Sequence, residues 1–530
     1  MNLLLLLKSV PLVIVTLLLP LFGAFAYGCV LVYNRYLAHR TGKFIGMNRV
    51  VYKTPFLILL TVQTVLSAVI WFKVGGGSES NVLSGSGWTS VFFGLASGSV
   101  QSSFKVDMFG AFSGALAAYA ALAGGLCALA EREEPLTPRR IVFLLLAVAG
   151  VQGIFYQNNL LALFVFMIIA QTGVTGLFSN YSPDRSSLRK NAFYYASRVI
   201  LLGMFLAGVL LLRAEYGVTN MTVLAAARMP SHTTSLALIL LAVPPLYIFI
   251  KPSPFMKSPS RSTFFLLRTQ VSLFILFRIF FTLFGPMSGL EKMPALFVLV
   301  GLAVIAYSLI ISVREVCPEN FMDMIVFYLK GAILAAIGIA MNGTFAAGNA
   351  ALYGIGALEA AISLWLVFLP ITMTISFIMS FLKIKEDNGT EIWKNGSLWR
   401  KSRFMTLMLM LAVGMIAGLP PFAGYSGKQL LLRSANFISP YLCCVLFIFA
   451  VLMLFISLRC VFVFMTEGEE SDDSFKMERS PMFLPLIMFM IIFVYATAAP
   501  GHVFDSVLSP AVDSLVNRPV AITTQTEEMK

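Results

Sequence analysis

The sequence predicts an all-α, polytopic membrane protein. Of its 530 residues, 58% are hydrophobic and only 12% are charged, whereas soluble domains are about half apolar and about a quarter charged. A membrane-spanning helix needs about 20 mostly apolar residues, and the chain contains fourteen such runs. No long polar stretch interrupts the series, so we expect no extramembrane domain. These observations exclude a soluble protein and leave a bundle of about 14 transmembrane helices.

The fourteen runs divide into four groups in chain order. Three spans are expected within residues 1–130, five (spans 4–8) within 140–286, five more (spans 9–13) within 293–465, and a last span with a short tail within 482–530. The apolar runs that define these spans cover residues 10–33, 55–74, 104–130, 140–157, 158–179, 190–213, 232–250, 262–286, 293–312, 321–342, 350–382, 404–435, 437–465 and 482–500.

Two double prolines interrupt these runs at corresponding places. Pro244-Pro245 lies in the seventh run and Pro420-Pro421 in the twelfth. Proline removes an amide donor and clashes with the preceding turn, so we expect helices 7 and 12 to be broken. Broken helices at matching positions in two halves are typical of internal repeats around an ion or substrate path. Because five spans separate the two pairs, we predict two inverted five-helix repeats.

The residues that bind metals and cofactors are scarce. The chain has six cysteines without a CxxC pair and only three scattered histidines, so we expect neither a metal site nor a bound cofactor. No dinucleotide-binding or phosphate-binding fingerprint is present. The net charge of +13 comes from bases that are spread along the chain, which excludes a nucleic-acid partner.

The distribution of bases gives an orientation. Loops that follow odd-numbered runs carry most of the loop Lys and Arg, and the first of them, residues 34–54, holds five bases and no acid. Under the positive-inside rule these loops face the cytoplasm or the mitochondrial matrix. Both termini are then expected on the opposite side of the membrane.

A small set of bases falls inside the predicted spans. An ionisable side chain at the centre of a membrane helix costs about 2.5–3.5 kcal/mol and faces the interior of the bundle. The bases are Arg198, Arg268, Arg278, Lys330, Lys428 and Arg459. Acids are nearly absent, with Asp107 and Glu359 as the main examples.

Three of these bases are candidates for a proton path. Lys428 follows Pro421 by seven residues, where a broken helix frees backbone groups, and burial disfavours the charged form of an amine, so a buried lysine can release a proton. Snorkelling to the interface is the alternative for Lys428. Lys330 is deep in its span, where we expect it to serve as a proton relay or as a structural hydrogen-bond donor.

Arg198 is also deep in its span. Its guanidinium stays protonated, so it can supply a fixed positive charge but does not carry protons. We expect Arg268 and Arg278 towards the two ends of the eighth span.

The twelfth run carries the most specific motif of the sequence. Gly418–Lys428 reads Gly-Leu-Pro-Pro-Phe-Ala-Gly-Tyr-Ser-Gly-Lys and resembles the broken twelfth helix of NADH–quinone oxidoreductase (complex I) subunit 2, the antiporter-like subunit called N in bacteria. Val106-Asp107 and Ser457-Leu458-Arg459 resemble further family positions. The resemblance implies two inverted repeats, proton pumping coupled to NADH oxidation by quinone, and no redox cofactor in this chain. It also implies lipids and other membrane-arm subunits, including neighbouring antiporter-like chains, as partners.

The chain departs from the family at several charged positions. Where the family keeps a glutamate in the fifth span, this sequence has Ile168, with Gln171 one turn on. The family's lysines in the sixth, seventh and eighth spans align with Phe193, Leu240 and Gln270. Of the charged chain along the membrane midplane, Lys428 alone is clearly retained. A complete path is therefore either lost or rerouted through Lys330, Arg198 and waters.

Three functions follow as alternatives. The first is a non-redox membrane-arm subunit of a proton-translocating NADH:ubiquinone reductase. The second is an assembled structural subunit that has lost its own proton path, and the third is a stand-alone cation/proton antiporter. The scarcity of intramembrane acids counts against the third, since a transported cation needs oxygen ligands or counter-charge. The divergence from the bacterial pattern favours the mitochondrial inner membrane, with the bacterial plasma membrane as the alternative.

Overall fold

The computed structural model describes residues 12–41, 49–75, 106–130, 136–178, 185–226, 232–251, 259–284, 292–315, 318–344, 349–386, 399, 402–465 and 483–516.

Within these residues the chain is helical. The principal helices are α1 (Leu12–Thr41), α2 (Arg49–Gly75), α3 (Met108–Ala130), α4 (Pro138–Phe155), α5 (Leu160–Phe178), α6 (Arg185–Tyr216), α7 (His232–Ile250), α8 (Pro259–Phe277), α9 (Lys292–Arg314), α10 (Pro318–Gly343), α11 (Asn349–Glu386), α12 (Arg403–Ala417), α13 (Ala423–Ile438), α14 (Pro440–Met465) and α15 (Phe483–Ala498). A π-helix, Arg278–Leu283, continues α8. The β pairing in the described residues is one isolated bridge between Asn159 and Asn220.

The helices confirm an all-α polytopic membrane protein. Twelve of the described helices are each long and apolar enough to cross a membrane, and α15 with the segment after it gives a thirteenth candidate. The two shorter helices α12 and α13 occupy the predicted twelfth run. The grouping of the spans into two inverted repeats stays a prediction.

The centre of the bundle consists of α8, α10 and α11. The apolar stretches of α8 and α11 are completely buried, and that of α10 is nearly so. Trp365 of α11 packs with its ring 5.3 Å from that of Phe109 at the start of α3 and 6.2 Å from that of Phe277 at the end of α8. By contrast, only 28% and 22% of the apolar stretches of α2 and α14 are buried, as expected for helices that face lipid.

The seventh span corrects one expectation. Pro244 and Pro245 both lie inside the single helix α7, so the predicted break of this span is wrong. The two proline side chains are buried. Next to them α6 approaches closely, because a Cβ on Gly208 would lie 2.8 Å from Cγ of Leu241. Packing by neighbouring helices allows proline to stay within a membrane helix, and here it does so.

The twelfth span is interrupted as predicted. Helix α12 ends at Ala417, and α13 begins at Ala423 after a turn that contains Pro420 and Pro421. Gly418 follows α12 in the left-handed conformation, with a φ of 72°. Its amide donates to the carbonyls of Gly414 and Met415 at 3.0 and 3.2 Å, which closes the last turn of α12.

The segment after the last span folds back on the bundle. The chain turns by 100° between Phe483–Ala498 and Pro500–Val516, where a short tail was expected. Ala511, Val512 and Leu515 of this segment are buried. Ser514 accepts a hydrogen bond from the backbone amide of Phe109 at 3.3 Å, so the segment covers the beginning of α3.

Helices α4 and α5 pack at a distance that only glycine permits. A Cβ on Gly150 would lie 2.2 Å from the backbone nitrogen of Ala170, and a Cβ on Gly173 would lie 2.4 Å from that of Ala147. Backbone atoms cannot move aside as a flexible side chain can, so a larger residue must push the two helices apart. This pair forms one wall of the cavity described below.

We predict that Gly150→Ala lowers the thermal unfolding midpoint of the purified chain in detergent. Overpacking of a well-filled interior costs about 1–3 kcal/mol. Gly203→Ala on α6 is the matched control, because its Cβ would meet nothing within 4 Å. Alanine is favoured over glycine within helices by about 0.5–1 kcal/mol, so the control should unfold at or above the wild-type midpoint. Equal midpoints for Gly150→Ala and wild type would contradict this packing.

Candidate functional site

Lys428 lies at the interruption between α12 and α13. Its side chain is only 7% exposed, and its Nζ donates to the carbonyl of Ala417, the last residue of α12, at 2.9 Å. The ring of Tyr328 from α10 lies 4.8 Å from the same nitrogen. The last carbonyls of a helix have no partner within the helix and carry the negative end of its dipole. The sequence prediction that Lys428 meets backbone groups at the break therefore agrees with the observed contact.

Gly418 makes the space for the lysine side chain. A Cβ at this position would lie 2.6 Å from Cδ of Lys428. The left-handed backbone conformation of Gly418 independently disfavours other residues. One glycine thus both ends α12 and admits Lys428 to the carbonyl of Ala417.

Lys330 occupies an equivalent chemical environment at the end of α7. It is 1% exposed, and its Nζ donates to the carbonyl of Lys251 at 3.0 Å. The rings of Phe249 and Phe327 lie 5.8 and 5.9 Å from this nitrogen. Lys330 therefore stabilises the C-terminus of a second helix and is surrounded by aromatic faces that attract a cation.

Arg198 of α6 and Arg268 of α8 both line one small cavity. Both are buried, at 3% and 6% exposed, and both line the cavity together with Gln171, Pro244 and Pro245. Arg268 is the tenth of the 19 residues of α8, and its burial was not anticipated. The sequence could have indicated this burial, because each base has apolar residues before and after it along its helix.

The other arginines have structural partners. Arg278 forms a bidentate ion pair with Asp107 at the start of α3, with both N–O distances at 2.5 Å. Arg459 of α14 donates to the carbonyls of Ser312 and Val313 in the last turn of α9. These two contacts connect separate helices and leave the guanidinium groups no role in carrying protons.

The positions that depart from the family motif occupy different environments. Ile168 is 37% exposed on the outer surface of α5, while Met167, Ala170 and Gln171 of the same helix face the cavity. Leu240 is half-buried on α7. Gln270 of α8 is buried, and neither atom of its amide has a hydrogen-bond partner among the described residues. Phe193 lies on α6, with its side chain outside the described part of the structure.

The buried bases thus form separate sites along the bundle. Arg198 and Arg268 share the cavity. Lys330 interacts electrostatically with the like charge of Arg268 and with the opposite charge of Asp323. Lys330 and Tyr328, whose ring lies 4.8 Å from Nζ of Lys428, are two residues apart on α10 and so point to different sides of that helix. Among the described residues, no group of three His, Cys, Asp or Glu side chains is placed to hold a metal ion. The chemistry available at these sites is proton binding by the lysines and fixed positive charge from the arginines.

Comparisons with known proteins relate the chain to antiporter-like membrane subunits. No protein-family model matches it. A Staphylococcus aureus protein named "Putative antiporter subunit mnhD2" is 24% identical over 392 residues, which cover 70% of this chain and 74% of that protein. A second strain's protein of the same name is 24% identical over 381 residues, 68% of this chain and 71% of that protein.

Solved structures share the fold over nearly the whole chain. A chain of the Mrp complex from Dietzia sp. has a TM-score of 0.71 at 16% identity, covering 96% of this chain and 98% of that one. A chain of the archaeal membrane-bound sulfane sulfur reductase gives 0.75 at 16% identity, with coverage of 96% and 98%. Respiratory complex I from Thermus thermophilus gives 0.66 at 15% identity, with coverage of 92% and 98%. The resemblance to antiporter-like membrane subunits is confirmed.

We predict that Gly418→Ala displaces Lys428 from the carbonyl of Ala417. The added Cβ occupies the position next to Cδ of the lysine, and the left-handed backbone costs about 1–2 kcal/mol for a residue other than glycine. The measurement is the distance from Nζ to the Ala417 oxygen in a high-resolution density map of the variant.

Gly217→Ala is the matched control for this substitution. Gly217 also has a positive φ, of 71°, but a Cβ there would meet nothing within 4 Å. Both variants should lose similar stability, and only Gly418→Ala should lengthen the lysine contact beyond hydrogen-bond range. An unchanged contact in Gly418→Ala would show that Gly418 does not position the lysine.

Proposed function

We propose that this chain is an antiporter-like subunit of a multi-subunit membrane complex of the complex I or Mrp kind, and that Lys428 binds and releases the transported proton. The observation that carries the proposal is the contact between the buried Nζ of Lys428 and the carbonyl of Ala417 at the end of a broken helix. The curated relative and the solved structures with this fold support the assignment to such a complex.

The environment of Lys428 balances the two protonation states of its amine. Burial disfavours the ammonium form, whereas the Ala417 carbonyl, the negative end of α12 and the face of Tyr328 favour it. An amine held between these opposing effects can change its protonation state when a nearby charge or water moves. An arginine at this position would stay protonated, so lysine suits a group that must release its proton.

Lys330 and Arg198 have different expected roles in the same subunit. Lys330 can relay a proton because its amine can bind and release one, and the carbonyl of Lys251 holds its Nζ in place. Arg198 contributes a fixed positive charge at the cavity that it lines. We propose coupling to NADH oxidation by quinone because the motif Gly418–Lys428 resembles complex I. Exchange of protons for another cation is the second candidate, since the curated relative is named an antiporter subunit.

The bacterial relatives bear on the host membrane and the partners. The matching curated proteins come from Staphylococcus aureus, so we propose the bacterial plasma membrane in place of the mitochondrial inner membrane that the sequence alone favoured. The solved structures with this fold are chains of multi-subunit membrane complexes. We therefore propose neighbouring membrane subunits and lipids as its partners.

We predict that Lys428→Met abolishes most of the proton movement by the native complex, because methionine has similar length and no titratable group. The complex would be purified through a tag on this chain, placed in vesicles and followed with a pH-sensitive dye. NADH with quinone and a sodium gradient would be applied as separate driving forces. NADH-driven acidification supports the complex I assignment, and sodium-driven pH change supports an Mrp-type antiporter.

Lys292→Met is the matched control, because Lys292 is exposed at the start of α9. It should leave transport and assembly unchanged. Wild-type proton movement in a fully assembled Lys428→Met complex would reject the role of Lys428 and indicate a structural subunit. Transport by the purified chain in the absence of other subunits would instead identify a stand-alone antiporter.

A further inference from the structure

A second cavity, much larger than the first, opens between α7, α9 and α10. Its volume is about 680 Å³, within the range of cavities that bind small molecules. It is lined by side chains of α7 from Val243 to Lys251, by side chains of α9 from Leu299 to Tyr307, and by Phe327 of α10. Leu299 and Tyr307 are 65% and 52% exposed. The cavity is therefore a groove on the outside of the bundle, open to the lipid around it.

The charged group of the groove lies at one end. Nζ of Lys330 donates to the carbonyl of Lys251 at 3.0 Å and lies 5.9 Å from the ring of Phe327. The ring of Phe327 is in turn 6.1 Å from that of Tyr307, so Lys251 and Tyr307 lie at about the same level. The other end of the groove begins eight residues earlier on each helix, about 12 Å away, and its walls are aliphatic. The groove is thus apolar at one end and carries an ammonium group and a phenol at the other.

The ammonium group of Lys251 is free to bind a ligand. Its side chain is partly buried in the wall of the groove and forms no hydrogen bond or ion pair with any residue that the structure describes. Lys330 holds the backbone of Lys251 in place, so the side chain extends from a fixed position. None of the described residues that line the groove is an aspartate or a glutamate. A positive charge without a counter-ion at the end of an apolar groove attracts an amphiphile with a negative head group.

We propose that this groove binds an acyl chain of an anionic phospholipid, with the lipid phosphate at the ammonium group of Lys251. The acyl chain matches the aliphatic walls, and phosphate oxygens accept charge-assisted hydrogen bonds from an ammonium group. In the orientation predicted from the loop bases, Lys251 faces the cytoplasmic leaflet, where anionic lipids are concentrated and where basic pockets between helices bind their head groups.

A phospholipid satisfies this groove better than a helix of a neighbouring subunit. A membrane helix without an acidic residue would cover the ammonium group of Lys251 and leave it without a partner, which is costly. A phospholipid supplies the apolar chain and the negative charge in one molecule. The site gives the lipid partners proposed above a position and a charge, and it does not depend on proton transfer by Lys428.

The test is lipid binding to the purified full-length chain in detergent, followed by native mass spectrometry. Phosphatidylglycerol is the anionic probe, and phosphatidylcholine with the same acyl chains is the zwitterionic comparison. We expect one phosphatidylglycerol to be retained with an apparent affinity about fivefold higher than that of phosphatidylcholine, which is the effect of one basic residue on an anionic head group. Lys251→Gln should remove this preference. Lys292→Gln, at the exposed start of α9, is the matched control and should keep it.

A second variant blocks the groove and leaves its charge in place. Ala303 lies between Leu299 and Tyr307 on the α9 wall, so Ala303→Trp should abolish retention of both lipids. Leu452→Trp, at a position of α14 that is 45% exposed, is the matched control and should bind as wild type does. Equal retention of phosphatidylglycerol and phosphatidylcholine by the wild-type chain, or an unchanged preference in folded Lys251→Gln, would overturn the proposal.

Photo-crosslinking in the native complex distinguishes a lipid from a protein in the groove. Tyr307 is replaced by a benzophenone amino acid, which keeps an aromatic ring at this exposed position. After irradiation of the purified complex, we expect an adduct of this chain with the mass of a phospholipid. A crosslink to another subunit at this position would overturn the proposal.

Discussion

The structure depends on how a bundle with few acids holds basic groups inside a membrane. Such groups are costly unless they are hydrogen-bonded or paired. Three of them donate to carbonyls at or beside helix C-termini: Lys428 to Ala417, Lys330 to Lys251, and Arg459 to Ser312 and Val313. Those carbonyls lack partners within their own helices and carry the negative ends of the helix dipoles. The C-termini of helices therefore serve as the negative partners that carboxylates would otherwise provide. The positions at which helices end thus determine where the buried bases can lie.

This constraint gives the two parts of the bundle different chemistry. Around α12 and α13, the interruption at Gly418 brings a carbonyl and a lysine together, and this is the amine that we propose binds and releases protons. Around α5 to α8, the helix with the double proline is continuous, and two arginines surround a cavity instead. The first arrangement is the one that we propose transfers protons, whereas the second buries two fixed positive charges. The same fold thus supports two kinds of site.

Much of the fold follows from the sequence, because apolar runs of about 20 residues define membrane helices without reference to their neighbours. The break at Pro420-Pro421 and the contact of Lys428 with freed backbone groups follow in the same local way. The continuity of α7 does not, since it depends on packing against α6 at Gly208. The shared cavity of Arg198 and Arg268 also depends on helix rotation, which sequence spacing leaves open. For the same reason, the orientation of Ile168 towards the outside and of Gln171 towards the cavity requires the tertiary structure.

We propose that Lys428 exchanges protons with water at the interruption between α12 and α13. A density map of the intact complex at a resolution that shows ordered waters would reveal whether water reaches its amine. We expect a continuous chain of hydrogen-bonded waters from Nζ of Lys428 to one surface of the membrane. A lysine enclosed only by apolar side chains and the Ala417 carbonyl, with no water within hydrogen-bond distance, would contradict it.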